Sequence, residues 1–176
     1  MKDHINAHNK KILKSQDLAQ GGCNCKDDSD PCPLEGQCLM KSVVYKATVT
    51  TNQPKLKRKT YYGMTGGTFK KRYYGHKSDI EHKDKYGTTL SRYIWKLKDI
   101  KSNMSENAKK GFKWDTNWEI QQSAPAYKPG SKDCKLCTAE KYYILNEVDS
   151  VSLNVRSELL SKCRHKAKWK LKKLLS

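Results

Sequence analysis

The sequence is short of acidic residues and has no long apolar run. Asp and Glu number 18 against 36 Lys and Arg in 176 residues, leaving a net charge of +18. No acid occurs between Gly36 and Ser78, a stretch that carries Lys41, Lys46, Lys55, Lys57, Arg58, Lys59, Lys70, Lys71, Arg72 and Lys77. A second acid-free run from Ser161 to Ser176 carries Lys162, Arg164, Lys166, Lys168, Lys170, Lys172 and Lys173. Such an excess repels itself in a folded protein and favours a polyanionic partner, most often nucleic acid. One charge run is ordinarily a solvated face, but two acid-free runs in a short chain favour phosphate contact. An anionic membrane surface is the rival that composition leaves open.

Nothing approaches the ~20 consecutive apolar residues that a membrane-crossing helix needs. Residues 1–20 include lysines but lack the continuous apolar segment of a secretory signal, so export is not expected. The seven cysteines are then expected to stay reduced, as metal ligands or buried thiols before disulfides. An apolar fraction of 36% is low and calls for a compact core under a heavily charged surface. No internal repeat is present.

Four stretches follow from the pattern. Residues 1–22 read as a mobile arm ending in Gly21-Gly22, and residues 23–41 as a cysteine-rich segment with Cys23, Cys25, Cys32 and Cys38. Residues 42–155 form the main domain, and 156–176 a basic helical tail. Within the domain, Ser42 to Thr51 predicts a strand, Asn52-Gln53-Pro54 a turn, and Lys59 to Met64 a second strand, giving a hairpin with a basic tip. Thr65-Gly66-Gly67-Thr68 is expected to break that strand and cap a helix from about Phe69 to His82. A helix starting at Thr88-Thr89 places Leu90, Tyr93, Ile94 and Leu97 on one face. Trp114 to Gln122 predicts a third strand, and Asp133 or Ser131 is the expected cap of a helix from Cys134 to about Glu147. The order β-β-α-α-β-α argues for an α+β fold, a small sheet with helices packed on it.

Glu140 is the most informative acid. Its neighbours three and four positions away are Leu136, Cys137, Tyr143 and Ile144, the residues that should face the core. A carboxylate on such a stripe is costly to ionise unless it is paired or binds a metal. A structural salt bridge is the plain alternative. Arg72 and His76 lie four apart on the predicted helix and project from one face, an arginine fork for phosphate oxygens beside a group that moves protons near neutral pH. Tyr45, Tyr61 and Tyr62 sit on the hairpin strands, where aromatics ordinarily pack but can also orient a water or a phosphate.

Taken in order, these elements resemble the GIY-YIG nucleases. Val43-Val44-Tyr45 stands where that family has its first triplet, and Tyr61-Tyr62-Gly63 stands for the second. Arg72 stands about eleven residues past the second tyrosine, as in the family. His76 matches the histidine that some members add one helical turn later. Glu140-Lys-Tyr-Tyr-Ile-Leu matches the metal-binding glutamate and its aliphatic neighbours, and Asn154 matches an asparagine beyond that helix. Cys32-Pro-Leu-Glu-Gly-Gln-Cys38, Cys134-Lys-Leu-Cys137 and Arg156-Ser-Glu-Leu-Leu-Ser-Lys-Cys163-Arg-His165 look closest to the GIY-YIG domains of Penelope-like and related animal retroelements, where the nuclease nicks DNA to prime reverse transcription.

The resemblance implies a three-stranded antiparallel sheet flanked by helices and a metal-dependent DNA endonuclease in the nucleus. It also implies one Mg²⁺ or Mn²⁺ on Glu140, with Tyr45, Tyr61, Arg72, His76 and Asn154 completing the site. Tyr45 or His76 is the base, and the sequence does not choose between them. Lys46, Lys70 or Arg72 could supply the positive charge that a base at Tyr45 needs.

Spacing separately suggests Zn²⁺. Cys23, Cys25, Cys32 and Cys38 could form one site, Cys134 and Cys137 with Cys163 and His165 another, and a site mixing Cys32 and Cys38 with histidines is a third option. Lys55, Lys57, Arg58, Lys59, Lys70, Lys71, Lys166, Lys168 and Lys170 are candidate nucleic-acid contacts. DNA is the expected partner with RNA open, and a homodimer on DNA is open as well. The competing classes are a non-catalytic zinc-clipped nucleic-acid binder, and a membrane binder using Leu160, Ala167, Leu171 and Leu174 in the tail.

Overall fold

The computed structural model describes residues 22–25, 31–83, 87–131, 133–159 and 161–165. The arm expected over 1–22, apart from Gly22, lies outside them. So does the end of the tail, with Lys166, Lys168, Lys170 and the apolar residues Leu160, Ala167, Leu171 and Leu174.

Three strands, β1 (Lys41–Thr51), β2 (Lys59–Thr68) and β3 (Trp114–Ser123), make an antiparallel sheet in the order β2-β1-β3. The helices are α1 (Phe69–Glu81), α2 (Thr89–Ser102), α3 (Glu106–Gly111), α4 (Lys135–Asn146) and the short α5 (Arg156–Leu159). The α+β class follows directly. β1 is central and covered on both faces, which explains its run of buried Val43, Val44, Tyr45, Ala47 and Val49. On one face Val43, Tyr45, Ala47 and Val49 cluster with Phe69 of α1, Leu90, Ile94 and Leu97 of α2, Phe112 and Trp118. On the other, Val44 and Met64 meet Ala124 and the α4 residues Leu136, Cys137 and Ala139. Each fully buried side chain of this size stabilises the fold by roughly 1.5–3 kcal/mol.

The free edge of β2 is closed from within the chain. Thr60 N–H donates to Val151 O at 2.8 Å and Leu153 N–H to Thr60 O at 2.7 Å. Asn154 continues that pairing at Tyr62.

Two local expectations need correction. The Thr65–Thr68 segment does not break β2; the chain stays extended through Gly66 and Gly67, Thr68 pairs with Lys41, and Thr68 alone caps α1 by accepting from Lys71 N–H. Neither Asp133 nor Ser131 caps α4. Its N-cap is Cys134, without a side-chain capping bond, because the thiol turns toward Cys137 and His165 instead. The tail has a single described turn of helix, Arg156–Leu159. α3 was not foreseen: its six residues carry no buried side chain, and so no periodic apolar signal.

Candidate functional site

Tyr45 stands at the middle of β1, beside a bulge where β3 carries one extra residue: Val44 pairs with Gln122 but Tyr45 with Ile120. Bulges re-aim side chains and recur next to active sites. The Tyr45 ring packs on Phe69 and Trp118, with centroids 5.3 and 6.0 Å away. α1 starts where β2 ends, and its 3.6-residue repeat turns Phe69, Arg72, Tyr73 and His76 toward the sheet. Phe69 and Tyr73 anchor the helix on Trp118. Arg72 and His76 then converge on one atom. Arg72 Nε donates to Tyr45 Oη at 2.9 Å, and His76 Nε2 lies 2.7 Å from the same oxygen.

The electrostatics of this knot are set by burial. Burial, first, and the nearby Tyr61 phenol raise the Tyr45 pKa well above the ordinary phenol value, and Arg72 only partly opposes them. Burial, with the Arg72 charge, pushes His76 down to about 3, so its imidazole is neutral at pH 7. Its Nδ1 is buried with no hydrogen-bond partner among the described residues, a state that holds whichever tautomer is present. Burial works against the charge of Arg72, but the phenols of Tyr45 and Tyr61 outweigh it and raise its pKa. Of the cations considered for Tyr45, Arg72 is the one in contact. Lys46 lies over the Tyr62 ring, while Lys70 bonds Asn24.

Glu140 is buried on α4 with Leu136, Cys137 and Ile144, as its stripe requires. Burial raises its pKa and Glu158 adds to the effect, against the pull of Arg164, Lys141 and Arg72. Its charge is felt at Tyr45 and Tyr61, so the carboxylate, the two phenols and Arg72 share one electrostatic site. Among the described residues, Glu140 pairs with Arg164, whose Nη2 lies 3.5 Å from Oε1.

Asn154 is not hydrogen-bonded to that knot. Its side chain accepts from Tyr62 N–H at 2.7 Å and donates to Tyr62 O at 2.9 Å and to Glu158 at 2.7 Å, fixing β2 rather than facing Tyr45. Lys55, Lys57, Arg58 and Lys71 are exposed, and Lys59 and Lys70 are half-buried.

The cysteines resolve into two groups that together use all seven, four in one and three in the other. Cys23, Cys25, Cys32 and Cys38 present ligand atoms within 4.8 Å of one another, as do Cys134, Cys137, Cys163 and His165. None is in a disulfide. Within the groups, neighbouring ligand atoms stand 3.3–3.6 Å apart. A tetrahedral zinc with bonds of about 2.0–2.3 Å needs edges close to that. Amide N–H groups of Cys25, Gly36 and His165 donate to Cys23, Cys32 and Cys163 sulfurs, as thiolates require. Glu35 and Gly36 take positive φ of 47° and 92°, which turns the Gly36 amide back to Cys32. Both groups therefore could hold a metal ion such as zinc. Cys23 completes the first, and the mixed site of Cys32 and Cys38 with histidines is not formed among the described residues.

Each cluster braces one helix start. The segment from Cys38 to Met40 accepts the first amides of α1, Lys70 N–H on Cys38 O at 2.7 Å and Phe69 N–H on Met40 O at 2.8 Å. Cys134 and Cys137 are themselves the N-cap and first turn of α4. The helix bearing Arg72 and His76 and the helix bearing Glu140 are thus each pinned at the N-terminus.

Three contributors were not foreseen from the sequence. Trp118, Gly63, where a Cβ would collide with the Tyr45 ring, and Arg164 all act across long sequence separations; Gly63 left a signal as the end of the Tyr61-Tyr62-Gly63 triplet, and Arg164 in its place between two candidate ligands. The chain matches no protein-family model, no curated protein and no solved structure. No helix among the described residues is long and apolar enough to cross a membrane.

Proposed function

We propose that this chain is a metal-dependent DNA endonuclease of the GIY-YIG type that nicks phosphodiester bonds. The observation that carries the reading is the convergence of Arg72 and His76 on the Tyr45 hydroxyl, with buried Glu140 in the same electrostatic site. Packing alone does not ask for a buried histidine, tyrosine and glutamate around a half-buried arginine, and perturbed groups of this kind gather at functional sites.

Hydrolysis needs a proton taken from water, stabilisation of charge on the phosphoryl oxygens and help for the leaving oxygen. Tyr45 Oη would orient the attacking water, with the Tyr45–His76 hydrogen bond as the route for its proton, once the arriving phosphate offsets the Arg72 charge that adds to burial in holding His76 down. Hydrogen bonding fuses the two candidate bases. Arg72 spends its Nε on Tyr45 and feels the nearby Tyr61 phenol, and its remaining N–H groups would meet the phosphoryl oxygens. Glu140 would hold Mg²⁺ or Mn²⁺, an ion that supplies Lewis acidity at the phosphate and at the leaving oxygen. Tyr61 orients Arg72, while Asn154 keeps β2 in place. Zinc in the two cysteine clusters is structural. The lysines of the β1–β2 tip and of the α1 start approach flanking phosphates, and a DNA substrate places the work in the nucleus.

Conversion of supercoiled plasmid to nicked circle in Mg²⁺ or Mn²⁺, abolished by chelator, tests the reading. The Glu140–Arg164 ion pair favours a second one, a non-catalytic binder in which the pair merely satisfies a buried charge. Tight duplex binding without any nicking selects it.

A further inference from the structure

The tail returns to α4 and is fastened there repeatedly. Cys163 Sγ lies 3.4 Å from Cys137 Sγ, and His165 Nδ1 lies 3.3 Å from Cys134 Sγ and 3.4 Å from Cys137 Sγ. The His165 ring also stacks on Tyr127, and Lys141 of α4 donates to Ser161 O. Between the two ligands Cys163 and His165 stands a single residue, Arg164. A residue held on both sides by one metal group has little freedom of its own, and Arg164 is aimed at Glu140.

The pair it makes is lopsided. The Glu140 side chain is 7% exposed and that of Arg164 52%. The contact is a single one, Nη2 to Oε1 at 3.5 Å, longer than a good charge-assisted hydrogen bond. A guanidinium carries five N–H donors in a fork that matches phosphate, and this side chain is exposed and spends one of them on Glu140 among the described residues. Arg164 stands on Glu140 at its exposed side, and the charges of Arg164 and Arg72 are both felt at Glu140 and at the Tyr61 phenol.

We infer that Arg164 is a further phosphate contact of this site, parked on Glu140 in the free protein and held in place by the Cys134–Cys137–Cys163–His165 cluster. The inference rests on the nuclease reading for what Glu140 does. Were Glu140 to hold a divalent ion, its carboxylate would no longer need Arg164, and the guanidinium would be free to leave it. The arriving phosphate offers the displaced arginine a new anion within reach of its short tether. The tail cluster is then more than a staple: it sets where the second arginine stands.

The test uses the full-length, zinc-loaded protein and a labelled DNA duplex in Ca²⁺, which reports binding separately from cleavage. Arg164→Gln is expected to keep both zinc ions and to weaken binding about tenfold, the scale of one charged hydrogen bond. Lys110→Gln, an exposed charge on α3, should cost much less, and Arg164→Lys should recover part of the loss. Arg164→Gln binding as tightly as Lys110→Gln would overturn the inference. Should Arg164→Gln lose zinc, phenylglyoxal labelling of the wild type decides without a variant. Duplex is expected to protect Arg164, and unchanged labelling overturns the contact. Nicking by the wild type is scored separately, so failure of the nuclease reading is not confused with failure of the Arg164 contact.

Discussion

The Tyr45 ring occupies the space that a side chain at Gly63 would need. A Cβ placed on Gly63, its partner across the β1–β2 ladder, would come within 2.6 Å of Tyr45 Cζ. Glycine is needed there for the close approach: the phenol leans over β2, and its hydroxyl then meets Arg72 and His76.

Gly63→Ala is expected to push the ring out of that position at about 1–3 kcal/mol, the cost of overpacking a filled core. Urea unfolding reads the stability. Because the displaced hydroxyl leaves both partners, nicking should fall by far more than stability does. Full activity in a stable Gly63→Ala protein would separate the Tyr45 position from function.

His76 predicts a pH signature. Its folded pKa of about 3 lies below the ordinary histidine value of 6.5, so between those limits the unfolded chain binds the extra proton. Stability is therefore complete above about pH 6.5 and declines as pH falls toward 3. The groups facing His76 are Tyr45, Tyr61 and Arg72, none of which titrates in that window. Glu140, raised by burial, runs in the opposite sense at the acid end. The difference between wild type and His76→Gln, measured by urea midpoints at pH 7 and 5.5 with zinc content checked, should change by about 1 kcal/mol. A constant difference would contradict the buried neutral imidazole.

Two zinc ions per chain are expected, released in full on thiol modification and counted with a metallochromic dye. Cys38→Ser and Cys137→Ser should each leave one. Either loss should destabilise the fold by several kcal/mol, since site formation is coupled to folding. Fewer than two in the wild type would remove one of the braces.

Much of this was legible locally. β1, β2, α1 and α2 were readable because they obey simple periods, and Glu140 because one acid broke an apolar stripe. The Cys23 and Cys134 groupings were among the partitions that spacing allowed, but spacing could not choose. What stayed hidden depends on tertiary return of the chain: Trp118 packing against the rings of both Tyr45 and His76, and Arg164 reaching Glu140. The α4 cap was misread because Cys134 answers to the cluster rather than to the helix end.

Asn154 closes the β2 edge with two bonds to the Tyr62 backbone. Asn154→Ala should cost about 1–3 kcal/mol for the buried groups left unpaired. Amide exchange at Tyr62 should accelerate while the β1–β3 pairing keeps its protection. Slow exchange at Tyr62 in the variant would show that β2 does not depend on this residue.

On the proposed mechanism, Glu140 holds the ion that cleavage requires. Wild type and Glu140→Gln, an isosteric change, are compared for nicking of supercoiled plasmid in Mg²⁺ and in Mn²⁺, beside duplex binding. Nicking is expected from the wild type, with a loss of at least a thousandfold in the variant (about 4 kcal/mol of barrier) and binding retained in both. Equal nicking by the two proteins, or none by either with binding intact, would contradict it.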